Sequence, residues 1–232
     1  MDHLDVVRRE SDRVEQFVRA APDLDAPVPS CGDWTSYDLV THLGGVHRWA
    51  AAATRVPPDG RVPGVEEPQG LDAAALADWF AEGAATLVEA LSGDPDQPCW
   101  TLAEPRTVAS WLRRQAHETT VHRWDLESAL GLPAVIDPEV AVDGVDEVLS
   151  VMLPRQVRLG RARVSSRWVR LVVDGREVPL ATGPDRDPAP VATVRGGASE
   201  VLLLLWGRGG AGLSVEGAAD ALTDFLRGAV TP

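Results

Sequence analysis

Proline and glycine cut residues 1–130 into four pieces, each of helix length and each with one apolar stripe. Residues 2–21 place Val7, Val14, Phe17, Val18 and Ala21 on one face, and Pro22, Pro27 and Pro29 end that helix. A second helix starts at Thr35, where Asp38 three residues on completes a capping box. Its stripe is Leu39, Leu43, Val46 and Ala50, and it runs to Thr54 before the loop from Pro57 to Gly70. A third helix covers Asp72 to Leu91, with Leu76, Phe80, Leu87 and Leu91 inward, and Gly93 and Pro95 end it. The fourth runs from Thr107 to Leu130, with Val108, Trp111, Leu112, Gln115, Thr119, His122 and Leu126 on its stripe. Gly131 and Pro133 stop it. Four such helices hide their stripes most simply against one another, which predicts a four-helix bundle.

A further helix is expected over Pro138 to Val157, with Val142, Val145, Val148, Leu149 and Met152 along it. The pattern then changes. Trp168 to Val173 reads as a strand, Asp174-Gly175 as a hairpin turn and Glu177 to Ala181 as the return strand. Val191 to Arg195 reads as a third strand, Glu200 to Trp206 as a buried helix and Leu213 to Glu216 as a fourth strand. Gly217 to Ala229 forms a terminal helix with Ala221, Leu222 and Phe225 inward. The fold class expected is therefore α+β, a helical bundle followed by a small α/β unit. The boundary belongs within 131–160, and we divide the chain into residues 1–150 and 151–232.

Charge narrows the function. The formal net charge of −13 argues against a nucleic-acid partner, which needs a basic face; Arg155 to Arg170 is the one local basic stretch of note. All 22 basic residues are Arg, so lysine Schiff-base chemistry and a Walker-type phosphate loop are excluded. The longest apolar run, Val201 to Trp206, is too short to cross a bilayer, and the first residues lack the apolar core of a signal peptide. A cytoplasmic protein with no membrane partner, monomer or homodimer, is the expectation. Cys31 and Cys99 lack metal-ligand spacing and are expected as free thiols.

The fourth helix carries the chemistry, in the segment RRQAHETTVHRWDLE. Glu118 and His122, four apart, stack on one face about 40° apart, and both fall within roughly 60° of the stripe centre. A carboxylate and an imidazole aimed into a core need partners, and a divalent metal supplies both. The plainer reading is an i,i+4 ion pair at a partly wet surface. The second helix adds His42 and His47, each roughly 70° from its own stripe centre on opposite flanks. Periodicity does not choose between them. His47 is expected at the surface or behind the ligands, and His117, about 140° from His122, in solvent. Two His and one Glu suit Zn, Fe or Ni, and three protein ligands leave an open coordination position.

The segments CGDWTSYDLVTHLGGVHRWA, RTVASWLRRQAHETTVHRWDLE and RGGASEVLLLLWGRGG together resemble the mycothiol-dependent maleylpyruvate isomerase family of actinobacteria. The resemblance spans essentially the whole chain. It implies a DinB-like metal-binding bundle followed by a small α/β C-terminal domain. It also implies the ligand set His42, Glu118 and His122, with zinc as the expected metal, and so selects His42 over His47. Mycothiol is the cofactor implied, with a small electrophilic substrate. The metal would keep the mycothiol thiol as thiolate, and addition, rotation and elimination would isomerise a cis double bond. The resemblance further implies that Arg208, in Trp206-Gly207-Arg208-Gly209, handles substrate; a capping role at the end of the preceding helix stands beside that. Two other readings remain at this point: a DinB-like metal-dependent hydrolase without a thiol, and a non-enzymatic metal-binding module.

Overall fold

The computed structural model describes residues 1–20, 23–162, 168–178, 190–227 and 231. Among these the chain forms two compact units, Met1–Ile136 and Asp137–Pro232. The division falls inside the expected 131–160 span but ahead of 150/151, because the helix that starts at Pro138 packs within the second unit.

The first unit is a bundle of α1 (His3–Ala20), α2 (Ser36–Ala53), α3 (Ala73–Leu91) and α4 (Val108–Ala129). A single 3-10 turn, Pro29–Cys31, precedes α2. The expected inward Ala21 lies outside the described residues. Thr35 and Asp38 form the full capping box: the Asp38 amide donates to Thr35 Oγ1, and the Thr35 amide donates to Asp38 Oδ2 at 2.8 Å. Leu39, Leu43, Leu76, Phe80 and Leu126 meet in the core with Val14 and Val18. The helix α4 ends in a Schellman turn. Leu132 N–H reaches Glu127 O at 2.9 Å, Gly131 N–H reaches Ser128 O at 3.2 Å, and Gly131 takes the left-handed φ of 67°.

The bundle depends on α4 being covered from several sides. α1 packs against α3 and α4, and α2 packs against α3 and α4. From Arg114 to Glu127 every residue of α4 is buried except Glu118 and Trp124, which are partly so. The face towards α1 carries charge, and that charge is paired. Arg123 Nε donates to Glu10 Oε2 at 2.6 Å, its Nη1 pairs with Glu127, its Nη2 donates to Val135 O at 2.9 Å, and Arg13 also pairs with Glu127. Glu10, Arg123 and Glu127 are all buried. Where α2 and α3 approach, Gly44 and Gly83 leave room for large neighbours: a Cβ at Gly44 would overlap the Trp79 ring, and one at Gly83 would overlap Arg48. The Arg48 guanidinium lies 4.0 Å from the centre of the Trp79 ring and donates to Trp79 O at 2.5 Å.

The second unit opens with α5 (Pro138–Glu147), a π turn (Val148–Met152) and α6 (Leu153–Arg158) in place of one uninterrupted helix. Pro154 explains the break. It has no N–H to give and its ring crowds the carbonyl four residues back, so the ladder widens and Leu153 N–H bonds Val148 O. Val142, expected on the apolar line, is exposed. The sheet runs β2-β1-β3-β4, with β1 Val169–Val173, β2 Arg176–Val178, β3 Ala192–Gly196 and β4 Ser214–Gly217. β1 and β2 form the antiparallel hairpin, with Asp174 and Gly175 at φ 48° and 78° as a two-residue turn requires. β1 and β3 are parallel, and β3 and β4 antiparallel. The helix α7 (Ala198–Leu205) packs on α5, and α8 (Ala219–Leu226) contacts β1 and β3. Residues 179–181 of the expected return strand and 228–229 of the expected last helix lie outside the described residues.

Two substitutions test this account of the bundle. Arg123→Ala leaves two buried carboxylates without their shared cation and should lower the unfolding free energy by about 3–5 kcal/mol. Urea melts followed by far-UV circular dichroism measure it, and a loss below about 1 kcal/mol contradicts a buried network. Gly44→Ala should cost about 1–3 kcal/mol by overpacking against Trp79, whereas the same change at the open Gly64 should cost far less.

Candidate metal centre

The face of α4 turned towards α2 carries charge as well, but there the acceptors and imidazoles converge on one place. Glu118 and His122 are one helical turn apart on α4, and His42 comes from α2. The His122 Nε2 lies 3.2 Å from Glu118 Oε1, and His42 Nε2 lies 3.9 Å from the same oxygen. The two imidazole rings stand edge to face with centroids 5.4 Å apart. One donor atom from each of the three residues lies within 4.8 Å of the other two. The expected set thus comes together in space. Two imidazole nitrogens and one carboxylate oxygen are a fitting donor set for a divalent ion of the zinc type.

Neighbouring groups fix two of the three. Arg114, one turn before Glu118, donates from Nη2 to Glu118 Oε2 at 2.6 Å, leaving Oε1 to face the histidines. Asp125, one turn after His122, places Oδ2 3.0 Å from His122 Nδ1. His42 is held differently: its ring packs on Trp34 at 4.8 Å between centroids, and a third of its side chain stays exposed. The opening to solvent is therefore on the His42 side of the cluster.

The charges follow from these contacts. Burial works to raise the Glu118 pKa, but the Arg114 guanidinium and His122 outweigh it and hold the carboxyl well below its ordinary range. Burial works against a charge on His122 too, yet hydrogen bonding to Asp125, Cys31 and Glu118 raises its pKa well above 6.5. Burial lowers the pKa of His42, with the charge of His122 adding to this and Glu118 opposing it.

The other histidines differ from expectation. His47 is not at the surface: it is fully buried, its Nε2 is 3.0 Å from Thr119 Oγ1, and burial pushes its pKa down to about 3. His117 is not solvated, because α1 covers that side of α4; it is fully buried with His3 edge-on at 6.2 Å. The expectations of a surface position for His47 and a solvated one for His117 share one origin, the assumption that α4 and α2 each bury a single stripe; the other reading of His47, behind the cluster, is not contradicted. Sequence alone did not single out Arg114 and Asp125, although both stand at helical spacing from Glu118 and His122, nor Ser30, and it gave Cys31 only as a free thiol. Cys31 Sγ lies 3.7 Å from Asp125 Oδ2 and, with His122 and Asp125, forms a second close group. Arg208 follows α7 in the second unit, where its Nη1 donates to Trp206 O at 2.6 Å, the contact a capping role requires.

Comparisons with known proteins agree with this architecture. The family model for the mycothiol maleylpyruvate isomerase N-terminal domain matches residues 7–127, and that for the MDMPI C-terminal domain matches residues 139–226. Two uncharacterized proteins from different strains of Mycobacterium tuberculosis are 30% identical over 142 residues, covering 58% of this chain and 70% of each relative. The crystal structure of the mycothiol-dependent maleylpyruvate isomerase matches with a TM-score of 0.66 at 14% identity, covering 92% of this chain and 91% of that one. A histidine-to-alanine mutant of that enzyme gives the same values. At this identity the structural likeness speaks for the fold alone.

The charge pattern predicts how ion uptake depends on pH. Hydrogen bonding to its acidic neighbours raises the His122 pKa while burial lowers that of His42, so of the two imidazoles His122 is the one whose proton competes with an ion to the higher pH. Zinc affinity should rise about tenfold per pH unit below the His122 pKa and level off above it. Competition against a chromophoric chelator, corrected for the chelator's own protonation, measures this, and a flat profile refutes the assignment of the proton.

Proposed function

Since this chain belongs to the mycothiol maleylpyruvate isomerase family, an enzyme family, we propose that it is a metal-dependent enzyme using mycothiol as its thiol cofactor. Its reaction is a cis–trans isomerisation of the maleylpyruvate type, or a related thiol transfer, on a small electrophilic substrate. The observation that carries this reading is the convergence of His42, Glu118 and His122 on one point inside the family's N-terminal domain.

His42, Glu118 and His122 would hold the ion, with zinc the metal best suited to two imidazoles and a carboxylate. When bound, it would keep a cofactor thiol ionised near neutral pH, and such a thiolate is the nucleophile that reversible addition to an activated double bond requires. The residues themselves perform the positioning. Glu118 offers one oxygen and keeps the other on Arg114, so the carboxylate is presented from one side. His122 offers Nε2 while Nδ1 stays on Asp125. Burial keeps His42 neutral and ready to donate a lone pair. Three protein donors leave a coordination position for the thiol, and His42 borders the open side. Arg208 is the group we assign to a substrate carboxylate, which a guanidinium binds through paired hydrogen bonds. No helix among the described residues is long and apolar enough to cross a membrane, and we place the enzyme in the cytoplasm.

The test is metal analysis of the purified protein and of His42→Ala, followed by calorimetric titration with mycothiol. Stoichiometric metal in the unaltered protein, its loss in His42→Ala and metal-dependent mycothiol binding are expected. Protein never exposed to chelator that lacks metal would sink the proposal. Metal without mycothiol binding would shift the reading to a hydrolase that uses metal-bound water.

A further inference from the structure

Asp125 is a carboxylate in the body of α4 with no exposure to solvent. Burying an ionised carboxylate is expensive unless donors converge on it. Here they do, and they come from two separate parts of the chain. His122 Nδ1 is 3.0 Å from Oδ2, Ser30 Oγ donates to Oδ1 at 2.6 Å, and Cys31 Sγ is 3.7 Å from Oδ2. Ser30 and Cys31 belong to the turn Pro29–Cys31, which connects α1 to α2. That turn sits inside a small closed loop. Val28 N–H reaches Trp34 O at 2.8 Å, Pro27 bridges Thr35, and Ser36 N–H reaches Ala26 O at 2.8 Å. The loop delivers Trp34 against the His42 ring.

One buried carboxylate therefore touches the settings of two ligands. It accepts directly from His122, and through Ser30 it pins the loop whose Trp34 packs on His42. We infer that Asp125, anchored by Ser30, is a positioning residue for the metal centre: it selects the His122 tautomer with the proton on Nδ1, turns Nε2 towards Glu118 and His42, and steadies the loop behind His42. The inference rests on the metal-centre reading above. A ligating imidazole whose second nitrogen has a fixed acceptor is a better and better-aimed donor, and losing such an acceptor typically weakens metal binding by roughly 10–100-fold. The sequence signal is His122-x-x-Asp125, which sets an acid one turn beyond the ring on the same face.

The experiment compares zinc affinity, measured by chelator competition, and the visible spectrum of the cobalt(II)-loaded protein for the unaltered chain, Asp125→Ala, Asp125→Asn and Ser30→Ala. Asp125→Ala should weaken zinc binding roughly 10–100-fold and alter the cobalt spectrum. Asp125→Asn should recover most of the affinity and the original spectrum, because an amide oxygen still accepts from Nδ1–H and the amide group still partners Ser30. Ser30→Ala should shift the cobalt spectrum with a smaller affinity loss, and it keeps the test available if Asp125→Ala does not fold. Affinity and spectrum unchanged in Asp125→Ala overturn the inference. So does an Asn variant as impaired as the Ala variant, or an unchanged spectrum in Ser30→Ala. If the unaltered protein takes up neither zinc nor cobalt, the metal centre itself is wrong, an outcome distinct from a metal centre indifferent to Asp125.

Discussion

Everything in the first unit answers to the burial of α4. A helix that carries Arg114, Glu118, His122, Arg123, Asp125 and Glu127 is a poor candidate for an interior, because each charge must find an opposite partner or a set of donors. On the α1 side the solution is complete: Arg123 sits between Glu10 and Glu127, and Arg13 closes the pair. On the α2 side the pairing runs along the helix itself, from Arg114 to Glu118 to His122 to Asp125, alternating in sign turn by turn. That ladder would be self-sufficient were it not for His42, which brings a third electron-pair donor to the one oxygen already facing His122. A purely structural network has no need of it. The same physical demand is met on one face by charge pairing and on the other by an arrangement suited to a cation.

The fold was legible where local rules and the tertiary demand agreed. Thr35 with Asp38, Gly131 after α4 and Asp174-Gly175 in the hairpin are each dictated by backbone geometry that few other residues satisfy. They fall where the sequence puts them. The break at Pro154 was legible in principle, since a proline inside a helix removes a donor, yet the expected helix ran through it. The domain boundary needed tertiary knowledge: whether α5 joins the bundle or the sheet is decided by its packing on α7, which no local pattern encodes.

The candidate site was half legible. Glu118 and His122 follow from a spacing of four on one helix, which puts His122 Nε2 3.2 Å from Glu118 Oε1. His42 against His47 did not follow, because an apolar-stripe count assumes one buried face per helix. In the bundle both flanks of α2 are occupied, so His47 is the more buried of the two and finds Thr119, while His42 keeps an outlet to solvent. The rule that ligands are the inward residues would have pointed to His47, which is in none of the close donor groups among the described residues. Only the family resemblance selected His42 beforehand. Ser30 was beyond reach for another reason: its partner, Asp125, is far away in sequence, and one chain read alone does not display such pairs.

The distribution of the three candidate ligands along the chain has its own consequence for folding. Glu118 and His122 meet as soon as one turn of α4 forms, whereas His42 arrives only when α2 has docked. A cation gripping all three would cross-link positions 42 and 122, closing a loop that contains the whole of α3. It would act as a removable staple, favouring the assembled bundle over every partly open form in proportion to how much more tightly that bundle grips it. For such a chain, resistance to unfolding becomes a property of the solution as much as of the sequence.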